Sequence, residues 1–169
     1  MERLWSPWRL AYVRGTTSAT GCIFCDAAGS DVDPAREALV MVRGRLSLVI
    51  LNLYPYNNGH LMVVPYRHIA SLGAASAEEL SEMMLFTRDA ETALTEAYDP
   101  DGLNVGLNLG RPAGAGIVDH IHIHAVPRWT GDTNFMSVVG ETRVLPEDIQ
   151  ETAKRLKPIF ERLREKGRS

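Results

Sequence analysis

Apolar residues fall in short runs broken by glycine, proline and asparagine, with one long helical stripe set among them. Residues 39–42 and 46–51 flank the turn Arg43-Gly44-Arg45, a pattern that predicts a β-hairpin. The stretch 52–58 carries Pro55 and paired asparagines and reads as a loop. Residues 60–65 follow as a third strand. Ser76-Ala77-Glu78-Glu79 is a capping-box signature. Behind it Leu80, Met83, Met84, Thr87, Ala90 and Leu94 recur at helical spacing as far as Asp99-Pro100. Residues 103–109 and 119–126 predict a fourth and a fifth strand, separated by a loop holding Gly110, Gly114 and Gly116. A charged helix starts near Pro146, a residue suited to a first helical position, and runs to about Lys166. Residues 15–37 read as irregular apart from a knuckle at Cys22 and Cys25. Strands in a run with one long helix inserted argue an α+β fold with a mostly antiparallel sheet.

The row His120-Ile121-His122-Ile123-His124-Ala125-Val126 changes the picture from architecture to chemistry. Alternation along a strand puts its three histidines on one face. By chance such a row is expected in roughly 0.004 chains of this length and histidine content. Three buried imidazoles without partners would also be costly. Two uses fit. Neutral imidazoles bind metals, and an imidazole nitrogen can attack a phosphoryl centre while its neighbours hold the phosphate oxygens. The glycine-rich loop directly before the row lets backbone N–H groups approach an anion, which favours phosphate.

Composition narrows the remaining classes. In 169 residues, 45% hydrophobic and 23% charged, the balance is that of an ordinary globular domain, which excludes a disordered tail or a collagen-like fibre. A net charge of -3 disfavours a protein living by nucleic-acid backbone contacts. No apolar run approaches the roughly 20 residues of a membrane span. The first 14 residues lack the apolar core of a signal peptide, so a cytoplasmic location is expected. In that compartment the Cys22-x-x-Cys25 pair suggests metal or redox chemistry more than a disulfide.

The row matches the His-x-His-x-His motif of the histidine-triad (HIT) nucleotidyl hydrolases and transferases, followed as there by two apolar residues. Asn57-Asn58-Gly59-His60-Leu61-Met62-Val63-Val64-Pro65 resembles that family's Gly-His-apolar segment. Asn52 falls where the family holds a ribose-binding Asp or Asn, and Asn108 where a polar residue meets the α-phosphate. The resemblance implies a HIT-type α+β domain with a five-stranded antiparallel sheet, a long helix packed on it and a C-terminal helix. It implies one domain over 1–169, with a core of about 22–130, an N-terminal arm 1–21 and a C-terminal extension 131–169. His122 would be the nucleophile on the α-phosphorus, His124 would hold a phosphate oxygen or assist the leaving group, and His60 would support them. Gly116 stands where the family often has Gln or Ser, so backbone N–H groups of Gly114 and Gly116 are the expected phosphate contacts here.

Zinc-containing members of the family use a CxxC, a later histidine and the first histidine of the triad. By resemblance these are Cys22, Cys25, His68 and His120, two thiolates and two imidazoles suited to a closed structural zinc site. No organic cofactor is implied. Residues 4–9 and 127–136 resemble a microbial branch related to diadenosine tetraphosphate phosphorylases and fragile-histidine-triad dinucleoside polyphosphate hydrolases. Trp5, Trp8 and Trp129 are packing residues or ligand contacts, with Trp129 assigned to the nucleotide site. Arg111 and Arg128 are candidate polyphosphate contacts or ordinary surface residues. The expected activity is cleavage of a dinucleoside polyphosphate through a nucleotidyl-histidine, with phosphate or water as acceptor. A purine-nucleoside phosphoramidase and a non-catalytic nucleotide-binding module are the alternatives. The resemblance also implies a homodimer and gives no reason to expect nucleic-acid or membrane partners.

Overall fold

The computed structural model describes residues 21–29, 32–132 and 147–166. Trp5, Trp8, Pro146 and residues 133–136 therefore lie outside the described residues. Two short helices, α1 (Ile23–Ala28) and α2 (Pro34–Glu37), precede the strands β1 (Val40–Arg43), β2 (Ser47–Leu51) and β3 (Leu61–Pro65). The long helix α3 (Ala77–Tyr98) leads to β4 (Gly102–Leu107) and β5 (Ile123–Arg128), and α4 (Ile149–Lys166) closes the described chain. All pairings are antiparallel and the strand order is β1-β2-β3-β5-β4, the expected five-stranded α+β sheet. The segment around Cys22 and Cys25, expected to be irregular, is instead partly helical. Asp33 caps α2 by accepting from the Ala35 N–H.

Local chemistry explains the elements. At the β1–β2 turn, the Glu82 carboxylate of α3 accepts from the N–H groups of Arg45 and Leu46 and from the Ser47 hydroxyl. A Cβ at Gly44 would come within 2.7 Å of the Phe86 ring and 2.8 Å of the Glu82 carboxylate, so a larger residue would displace one of them. Both hydrogen bonds of the capping box form between Ser76 and Glu79. The same Glu79 carboxylate receives Arg67, which helps hold its pKa at about 2. Asp99 ends α3 in the left-handed region at φ 44°.

The buried face of α3 differs from the expected stripe in two places. Leu80 and Met84 are 38% and 61% exposed, whereas Glu79 and Ala93 are buried. The capping box and the Arg67 pair satisfy Glu79 inside, so the helix turns that side inward. α3 packs on β2, β3 and β5, and α4 packs on α3 and on β1. The edge strand β1 thus has a helix packed against it, while β4 forms the other edge with Val105 half exposed. No described helix is long and apolar enough to cross a membrane.

The histidine row departs from the expected strand. The strand expected over 119–126 begins only at Ile123, so His120 and His122 precede it. The ladder with β3 stops at Val63 opposite Ile123. Beyond it Pro65 has no N–H to give, its carbonyl accepts from the His120 side chain, and the Ile121 N–H goes to Ile69.

Candidate functional site

Two clusters grow from this one stretch of chain, joined by the aromatic ring of Phe24. That ring, carried by α1, lies with its centroid 5.4 Å from the His120 ring and 4.8 Å from the His122 ring. On the α1 side, His120 Nδ1 lies 3.3 Å from Cys22 Sγ and 3.6 Å from Cys25 Sγ. Cys25 Sγ lies 3.2 Å from His68 Nδ1. On the other side the His122 and His124 rings are 4.7 Å apart, and His60 Nε2 is 3.0 Å from His124 Nδ1.

Hydrogen-bond partners that can only donate or only accept assign the ring protons. His120 Nε2 sits 2.8 Å from the Pro65 carbonyl, so that nitrogen carries the proton and Nδ1 presents its lone pair to the sulfurs. His122 Nδ1 sits 2.9 Å from the His120 carbonyl, so there the proton is on Nδ1 and the lone pair on Nε2. His60 Nδ1 accepts the Tyr56 N–H at 3.1 Å. Its Nε2–H therefore donates to His124 Nδ1, which places the proton of neutral His124 on Nε2. Burial pushes His120 and His122 below the ordinary histidine range, so both rings are neutral at pH 7. A bare nucleophilic nitrogen thus stands beside a ring that can donate.

The donor set of the first cluster fits a tetrahedral metal. Its four ligand atoms all lie within 4.8 Å of one another. Bonds of roughly 2.0–2.3 Å about a tetrahedral centre put neighbouring ligand atoms about 3.3–3.8 Å apart, close to the spacings seen here. Burial, reinforced by the adjacent Cys22, pushes the Cys25 thiol up.

The other sequence-expected residues distribute unevenly. Asn52 lies with Nδ2 3.3 Å from His60 Nδ1 and lines a cavity of about 460 Å³ that His60 also lines. Asn108 lines a second cavity, of about 350 Å³, together with His124 and Arg128. The loop before the triad turns through positive φ at Gly110 and Gly114, and the Gly114 N–H is donated to Arg111. Gly116 is exposed. Trp129 packs edge-on against Tyr98, at 6.4 Å, and lines neither cavity. Three contributors escaped the sequence reading. Phe24 bridges the clusters. The Tyr56 ring covers His60 at 4.6 Å, while its N–H sets that histidine's tautomer. Asp132 pairs with Arg128, which holds its carboxyl well below the usual range. An acidic residue four positions after an arginine at a strand end was the available signal for the last.

A family model described as "HIT domain" matches residues 34–131. The chain is 40% identical over 167 residues to the AP-4-A phosphorylase of Mycobacterium tuberculosis (strain ATCC 25618 / H37Rv), across 92% of this chain and 83% of that protein. It is 27% identical to the bis(5'-adenosyl)-triphosphatase of Dictyostelium discoideum, across 75% of this chain and 88% of that protein. Among solved structures, a Zn-bound histidine triad family protein from Mycobacterium smegmatis superposes with a TM-score of 0.68 at 26% identity, covering 86% of this chain and 97% of that one.

Proposed function

The chain belongs to the HIT family, and from that premise we propose that it cleaves a dinucleoside polyphosphate, diadenosine tetraphosphate foremost, at the α-phosphorus through a nucleotidyl-His122 intermediate. It is an enzyme of the nucleotide hydrolase and phosphorylase kind. The observation that carries the finer reading is the hydrogen bond from His122 Nδ1 to the His120 carbonyl, which leaves the lone pair on Nε2.

His122 Nε2 attacks phosphorus as the bond to the bridging oxygen breaks and the electron pair leaves on that oxygen. The resulting imidazolium keeps its Nδ1–H on the His120 carbonyl, so its charge is met without a proton transfer. The Nε2–H of His124, oriented by His60, donates to the departing or equatorial oxygen. In the second step inorganic phosphate or water attacks the same phosphorus and returns neutral His122. Phosphate yields ADP beside ATP, and water yields AMP beside ATP. Asn52 is read as the ribose contact, and Asn108 with Gly116 as the phosphate contacts, since the Gly114 N–H is held by the Arg111 carbonyl. Trp129 is kept as a nucleotide contact beside Tyr98.

Cys22, Cys25, His68 and His120 are proposed to hold a structural zinc, which when bound would clamp the segment bearing Phe24 to the triad. β4, an edge strand that among the described strands pairs with β5 alone, supports a homodimer with a sheet continuous across two copies. The reading treats 1–169 as one domain and places it in the cytoplasm, where thiols stay reduced.

The test is product analysis by anion exchange after incubation with diadenosine tetraphosphate, with and without inorganic phosphate. ADP and ATP formed only with phosphate establish phosphorolysis, and AMP with ATP in both tubes establishes hydrolysis. No product in either tube overturns the proposal and favours the phosphoramidase.

A further inference from the structure

The C-terminal helix α4 lies beyond residues 34–131, the span that the family model matches, and takes no part in the steps above. Its approach to the histidines is nevertheless close. Glu147 and Asp148, just before α4, and Thr152 in its first turn line one cavity of about 460 Å³ with Asn52, Asn58 and His60. An open space carries no packing contacts, so across this gap α4 does not brace the His60 loop directly. The brace runs through Tyr98, the last residue of α3.

Three neighbours hold the Tyr98 side chain. Its hydroxyl donates to Glu147 Oε2 at 2.5 Å, the Arg155 guanidinium of α4 lies over its ring at 5.4 Å from the centroid, and the Trp129 ring meets it edge-on. Burial, with the Glu147 carboxylate beside it, pushes the hydroxyl up to about 12, so it remains a donor at neutral pH. Glu147 also accepts from the Thr152 hydroxyl at 2.9 Å and from Arg155 at 2.6 Å. Burial opposes the Glu147 charge, yet the hydrogen bonds from Tyr98, Arg155 and Thr152 keep its carboxyl below the ordinary range. The Cε2 edge of the Tyr98 ring faces Gly59, the residue before His60. Gly59 sits at φ +74°, and a Cβ there would come within 3.0 Å of Tyr98 Cε2 and 2.8 Å of Leu94 Cδ2. Ring and backbone therefore meet with no side chain between them. His60 has both ring nitrogens committed, Nδ1 to the Tyr56 N–H and Nε2 to His124, so a shift of its backbone is passed on to His124.

We propose that Tyr98 is a positioning residue for His60, and that Glu147 of the C-terminal segment locks it in place. The inference rests on the reading that His60 orients His124. It deepens that reading, because a segment outside the family span then sets how well the His124 Nε2–H is aimed. The docking of α4 does not depend on the lock, since Leu156 and Phe160 are buried and Arg162 pairs with Glu96 of α3. Losing the Tyr98–Glu147 hydrogen bond loosens the backbone at Gly59 and His60 while the helix stays docked.

The experiment is a double-mutant cycle on the full chain, read as kcat per folded molecule on diadenosine tetraphosphate with inorganic phosphate present. The folded fraction comes from denaturant titration of the same sample. Glu147→Ala and Tyr98→Phe break one hydrogen bond from its two ends, whereas Glu147→Gln keeps an acceptor. Each of the first two is expected to lower kcat roughly three- to ten-fold with KM unchanged, and Glu147→Gln to recover most of that loss. In a His60→Ala background the same changes should alter kcat by less than about two-fold, since the residue they act through is gone. Equal fold-losses with and without His60 would reduce the lock to a structural tie and overturn the inference, as would wild-type kcat in both single variants. A His60→Ala chain with wild-type kcat would instead sink the reading of His60 on which the inference rests.

Discussion

His120 and His122 stand two residues apart, both buried and both neutral, yet they present opposite nitrogens. His120 gives its Nε2–H to the Pro65 carbonyl and turns Nδ1 to the sulfurs, whereas His122 gives its Nδ1–H to the His120 carbonyl and keeps the lone pair on Nε2. The side chains are chemically identical, so the difference comes from where a backbone carbonyl happens to lie. One ring becomes a candidate metal ligand and the other a candidate nucleophile. A row of like residues can therefore serve two chemistries, provided the backbone assigns each proton.

The division can be broken from either side. His122→Ala removes the proposed nucleophile and should lower turnover by about 10³-fold or more while the thermal midpoint changes little. Midpoint and kcat measured on the same sample check both halves, and near wild-type turnover in a folded variant refutes the assignment. Cys25→Ser, or a strong chelator, should act in the opposite sense. Stability is expected to fall by several kcal/mol, against the roughly 10–16 kcal/mol of zinc-finger peptides, with bound zinc lost in elemental analysis. A chain that carries no zinc as purified and ignores the chelator rules out the metal half.

Two smaller effects sharpen the contrast. His60→Ala leaves His124 without the donor that sets its tautomer, and an activity loss of about 10–100-fold is expected with zinc content unchanged. Equal loss of zinc and activity would show that the clusters are not separable. Glu79 belongs to neither cluster, although its partner Arg67 adjoins His68, and it reports on stability. Its pKa is about 2 in the fold, pulled down from 4.5 chiefly by Arg67, so its contribution is present above pH 4.5 and lost as pH falls from there towards 2. Glu79→Gln should flatten acid destabilisation over that window in denaturant titrations at stepped pH, leaving turnover of diadenosine tetraphosphate at pH 7 near wild type.

Much of this is legible in the order of residues. The alternating histidines, the Gly59-His60 segment and the CxxC announce their chemistry by residue type and spacing, and the capping box marks the start of α3 within one residue. The misreadings share a cause. Apolar and polar alternation continues back to residue 119 and predicts a longer fifth strand, but a ladder needs a donor on the neighbouring strand and Pro65 has none. Leu80 and Met84 were assigned to the buried face because they are apolar, while Glu79 is buried because two partners satisfy its charge. The order of residues marks Arg128 as a candidate polyphosphate contact or a surface residue, but not the Asp132 fork and the Asn104 contact that hold it in the fold.

The sequence by itself determined which groups were on hand, since imidazoles, thiols and amides at given spacings follow from the order of residues alone. Only the tertiary structure decided which nitrogen of each histidine is bare. That choice depends on carbonyls and N–H groups brought in from elsewhere, as far as 55 residues along the chain for His120 and Pro65, and hydrogen-bond geometry is blind to sequence distance.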